Sequence, residues 1–93
     1  MDAWVTDDDI WLARTAILHQ LAYKEATDSA RLFRYCAQRA ADREFFLRKA
    51  IGWALRQYAA IDPEAVDAFV AATPELSALS VREAMKGVRR ARR

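Results

Sequence analysis

A chain of 93 residues has room for one small domain built on one core. With 54% hydrophobic residues, only 2 Gly and 2 Pro, and a net charge of +2, it falls outside the disordered and low-complexity classes. The single Cys36 permits no internal disulfide, no apolar run approaches the roughly 20 residues of a membrane span, and the acidic start MDAWVTDDD lacks the basic region of a signal peptide; the sequence reads as a soluble, cytoplasmic protein.

The elements are predicted in chain order from caps and periodicity. Thr6 and the acidic run Asp7, Asp8 and Asp9 supply a cap and a negative first turn for a helix running to about Tyr23. With Ile10 at 0° and roughly 100° per residue, Ile17, Leu21, Leu18, Trp11 and Ala22 share an arc from roughly 340° to 120°. Arg14 falls inside that arc. Two readings stand for it: a guanidinium at the edge of the core, snorkelling or paired with a carboxylate, or a cation lining a groove, where its planar fork grips phosphate oxygens in pairs.

Asp28 caps a second predicted helix, to about Arg39, with Leu32, Phe33, Cys36, Ala37 and Ala40 on one face. Asp42 precedes a long third helix that contains EFFLRKAIGWALRQY. Its core face carries Leu47, Ile51, Ala54, Leu55 and Tyr58. Phe46 and Trp53 fall away from that face, beside Lys49 and Arg56, as a second stripe that is aromatic and cationic. Asp62 followed by Pro63 opens a fourth helix with Val66, Phe69 and Val70 inward. Ser80 and Glu83 match the capping box of a fifth, which ends in the basic tail KGVRRARR. That tail is open to two readings, a phosphate-binding patch or a solvated helix end whose cations suit the dipole. Nothing alternates with period two, so no strand is expected.

The helices also repeat. The pattern R-x-A-[IM] recurs at equal intervals from Arg14, Arg48 and Arg82, a period of roughly 34 residues that belongs to stacked helical hairpins. The tetratricopeptide signature is not present, so HEAT- or armadillo-like hairpins fit better. The expected architecture is all-α, an α-α superhelix fragment of about five helices: a hairpin over 7–40, a second over 43–72 and a half repeat over 80–93.

Other chemistry is set aside. His19 is the only histidine and has no Cys or carboxylate at ligand spacing, so no metal site is expected, and no Gly-rich loop suggests a nucleotide cofactor. Cys36 reads as a buried helix residue rather than a nucleophile paired with His19.

The segments DDDIWLARTAILHQLAYK, EFFLRKAIGWALRQYAAIDPEAVDAFV and LSALSVREAMK resemble the C-terminal part of the bacterial DNA alkylation repair glycosylases, the AlkD-like family of HEAT-like repeats. The resemblance implies a concave, positively charged solenoid that grips duplex DNA and excises cationic N-alkylated purines such as 3-methyladenine and 7-methylguanine. It implies that Arg14 matches an arginine held in the lesion cleft against the DNA backbone, and that Trp53 matches a tryptophan of that cleft. Phe46 and Arg56 match neighbours on the same face, and Lys49 shares their stripe. Gln57 and Gly87 depart from the family, which often carries a charged residue and a histidine there.

The family's catalytic aspartate lies upstream of the matched segments, so a truncated or split form, inactive alone, is expected, with a separate N-terminal half as one partner. Apolar surface around Trp4, Trp11 and Leu18 would then favour a homo-oligomer, most simply a two-fold dimer. The reading of a different class is a helical-repeat module for protein–protein interaction.

Overall fold

The computed structural model describes all 93 residues as six α-helices and no strand. They are α1 (Asp2–Val5), α2 (Ile10–Leu18), α3 (Ser29–Gln38), α4 (Phe45–Ala59), α5 (Pro63–Ala72) and α6 (Ala78–Ala91), with one 3₁₀ turn at Lys24–Ala26. The helix α1 was not anticipated, because four residues carry no readable period.

Each boundary has a chemical cause. Asp9, Asp28, Asp62 and Ser77 each accept a hydrogen bond from a backbone N–H in the first turn that follows, worth about 1 kcal/mol apiece. Glu44 rather than Asp42 caps α4, while Asp42 accepts from the Glu44 amide at 2.8 Å and so shapes the approach to it. The first long helix ends at Leu18, short of the expected Tyr23. Gln20 turns inward there, accepting from the Asp28 amide at 2.6 Å and donating to the Asp28 carbonyl at 3.1 Å. That buried amide closes the 19–28 loop, and its polar group is satisfied without helix geometry. The predicted capping box is also displaced: Ser77 is the cap, and Ser80 is buried inside α6, its hydroxyl donating to the Arg48 carbonyl of α4 at 2.8 Å.

The helices form two rows. Helix α4 packs against α2 on one side and chiefly against α6 on the other, while α5 packs on α4 and α6, and α3 on α2. The R-x-A-[IM] motifs therefore sit on three successive members of one row, and Ala16, Ile17, Ala50, Ile51 and Ala84 are all buried. The core joins Ile17, Leu32, Leu47, Ile51, Leu55, Val66 and Val88, each fully buried side chain contributing roughly 1.5–3 kcal/mol. Phe69 and Val70 are partly buried against it, and Leu76, in the α5–α6 connection, is buried although no period marked it.

The face of α2 differs from expectation. Its buried residues are Ala13, Ala16 and Ile17, whereas Trp11 is 54% and Leu21 39% exposed. The core side is thus turned roughly 120° from the arc of large apolar residues, because alanines let α2 lie close to α4 and leave its bulky side chains at the margin. Arg14 then borders the core instead of lying within its stripe. On α3, Ala37 faces solvent.

Two further clasps hold the N-terminal end. Arg39 donates to the carbonyls of Val5 (3.3 Å) and Asp7 (3.2 Å) and pairs with Asp42 at 2.7 Å, tying the α1–α2 turn to the α3–α4 turn. The Tyr35 hydroxyl donates to the Asp2 carboxylate, which also pairs with Arg34 at 3.1 Å. Cys36 is fully buried, and desolvation pushes its thiol up to about 12, which leaves it unreactive at neutral pH.

Candidate nucleic-acid interface

Helix α4 presents its second stripe because its core face is already complete. Leu47, Ile51, Ala54 and Leu55 occupy the buried side, so Phe45, Phe46 and Trp53 remain exposed. Lys49 lies among them, with Nζ 4.8 Å from the centre of the Trp53 ring and 5.8 Å from that of Phe45. Both distances allow cation–π attraction. Phe46 meets Phe45 edge-on at 5.6 Å and the tilted ring of Trp11, from α2, at 5.2 Å. The shelf therefore spans two helices.

One turn beyond Trp53, Arg56 lies with Trp53, Gln57 and Leu21 around a shallow concavity. Its guanidinium is held by Glu83 of α6 at 3.2 Å, and Glu83 in turn receives Lys86 at 3.1 Å. Hydrogen bonding from Lys86 and the two nearby cations hold the Glu83 carboxyl below its ordinary range. A more enclosed hollow of about 140 Å³ adjoins, lined by Ile17, Leu32, Ala54 and Tyr58 and sharing Leu21 and Gln57 with the concavity. Arg14, on α2 three residues beyond Trp11, is half-buried and takes part in no ion pair.

Of the five residues expected to face DNA, Phe46, Lys49, Trp53 and Arg56 thus lie along one side of α4, and Arg14 stands on the neighbouring helix. Trp11 and Phe45 belong to the same shelf, although neither is among those five. Trp11 lies in the apolar arc predicted for the first helix and among the residues expected to expose apolar surface, and Phe45 carried no expected role. The three motif arginines have different environments: Arg48 donates to the Asp42 carbonyl at 3.0 Å, Arg82 is exposed and Arg14 is half-buried on α2. The basic tail continues α6, where Arg92 is tied to Glu64 at 2.9 Å and Asp67 at 3.0 Å of α5, while Arg89 and Arg90 are exposed in the last turn. No three His, Cys, Asp or Glu side chains converge as metal ligands would, and no helix is long and apolar enough to cross a membrane.

An all-helical protein with two rows of helices and an exposed aromatic–cationic face belongs to the helical-repeat type of surface. The family is given by comparison with known proteins: residues 1–88 match the family model described as DNA alkylation repair enzyme, and the chain belongs to that family. It is similar to a solved structure of a predicted DNA alkylation repair enzyme from Enterococcus faecalis, with 34% sequence identity and a TM-score of 0.86. The match covers 91% of this chain and 39% of that one, so the chain spans about two fifths of that relative's length. No curated protein matches.

Proposed function

We propose that the face formed by Arg14, Phe46, Lys49, Trp53 and Arg56 is a duplex-DNA-contacting wall of a DNA alkylation repair protein. The observation that carries this reading is the exposed Trp53 ring with Lys49 over it and Arg56 one turn further on. Cations of this kind hold phosphates and set register on a duplex, and an electron-rich indole suits a positively charged base or sugar. The family supports DNA as the partner.

On this reading the reaction served is cleavage of the N-glycosidic bond of cationic N-alkylated purines. Such cleavage needs an acidic group placed at the sugar to stabilise developing positive charge or activate water. Asp7 and Asp9 are engaged in turn and cap hydrogen bonds, and Glu83 is held by two cations. None of these three is assigned that role, and the residues of the face are assigned to grip and cation stabilisation.

Titration of the chain with fluorescent duplex DNA at about 50 mM and about 200 mM salt tests the reading, because phosphate binding weakens steeply with ionic strength. Strong salt dependence supports it. Salt-insensitive association with protein partners and none with duplex would favour the interaction-module reading, to which the exposed Trp4, Trp11 and Phe45 lend apolar area.

A further inference from the structure

Glu83 is the one acidic side chain that reaches the proposed DNA face from the neighbouring helix, and its place there is rigid. A Cβ on Gly52 would stand 2.8 Å from the Glu83 Cβ, so α6 presses the stem of Glu83 onto the α4 backbone at the residue before Trp53. Only 14% of the Glu83 side chain is exposed, and its carboxylate spans two cations, Arg56 at 3.2 Å and Lys86 at 3.1 Å. Arg56 is the partner that lines the concavity beside Trp53.

We propose that Glu83 is a positioning residue that aims Arg56 into the groove and, through its own charge, limits how strongly Arg56 holds a DNA phosphate. The proposal deepens the DNA-binding reading and rests on it. With one N–H edge given to Glu83, the guanidinium keeps its remaining donors for a phosphate oxygen in a defined direction. The neighbouring negative charge opposes the same phosphate. Such an arrangement restrains sequence-independent grip while preserving geometry, which suits a protein that must leave undamaged duplex readily.

Glu83→Gln keeps the size of the side chain and an oxygen acceptor for Arg56 but removes the charge. Duplex binding should tighten by about three-fold or more at low salt, the order of one added charge contact in a water-like dielectric, and the dependence on log salt should steepen by about one counterion. In an Arg56→Ala background the same substitution should give no gain, which separates this effect from relief of Lys86. Far-ultraviolet circular dichroism checks that each variant is folded, and Glu83→Asp, which restores the charge, should return affinity toward that of the parent. Unchanged or weaker binding by folded Glu83→Gln, or a gain that persists without Arg56, would overturn the proposal while leaving DNA binding itself intact. Absence of duplex binding by the parent chain at low salt would overturn the underlying reading and this proposal with it.

Discussion

The backbone of Arg56 blocks the space in which a side chain at Gly87 would begin: a Cβ there would lie 2.6 Å from the Arg56 carbonyl oxygen and 2.9 Å from its Cα. Both glycines of the chain, Gly52 and Gly87, therefore serve the crossing of α4 and α6, and Gly87 lies against the backbone of a residue of the proposed groove. Alanine normally stabilises a helix interior by about 1 kcal/mol over glycine. Here Gly87→Ala should instead destabilise by about 1–3 kcal/mol, because a backbone cannot yield as a flexible side chain does. Urea unfolding gives the sign directly, and a stabilised variant would contradict the packing.

Trp53→Ala and Arg14→Ala should each weaken duplex binding by about five-fold, near 1 kcal/mol, without loss of helicity. Trp53 is exposed and Arg14 takes part in no ion pair, so neither holds the core. Fluorescence anisotropy with circular dichroism on the same samples decides it. Loss of helix in both variants, with unchanged affinity per folded molecule, would assign them to packing.

This chain alone should release no methylated purine from alkylated duplex DNA. Chromatography of the supernatant after incubation provides the check, and base release above a mock-purified control would place a competent carboxylate among residues assigned to caps and ion pairs.

Alkali should destabilise the fold through Cys36. An unfolded thiol ionises near 9.0 and the buried one near 12. A raised folded value means that this contribution is fully present below pH 9.0 and is lost as pH climbs toward 12, up to ~4 kcal/mol in the limit. The difference in urea midpoint between pH 8 and pH 10.5 should shrink in Cys36→Ala, and a thiol reagent should react with the parent only on unfolding.

We expect self-association through the apolar residues that α1, α2 and α4 leave exposed. Trp4 and Trp11 are open to solvent, while Leu18, grouped with them from sequence, is partly buried against the core. Light scattering across a concentration series should show a two-fold dimer. A strict monomer to high micromolar concentration, with tryptophan fluorescence unchanged on dilution, would remove the expectation.

What the sequence determined by itself was the helical class, most of the caps and the inward face of α4, because these depend on residues within a turn or two of one another. Asp28 and Asp62 cap where their own neighbours leave amides free, and Leu47, Ile51 and Leu55 declare a face through spacing alone. The tertiary structure decided which side of α2 is buried. That choice follows from how closely Ala13 and Ala16 allow α2 to approach α4, a relation between helices that no single wheel contains, and of the two places open to Trp11 from sequence, the apolar arc and exposed apolar surface, it took the second. Long-range partners decided the rest. Gln20 ended a helix early by reaching Asp28, and Ser80 and Glu83, a plausible local cap, were instead drawn across to Arg48 and Arg56, because α6 meets α4 at two glycines whose missing side chains bring those atoms within reach.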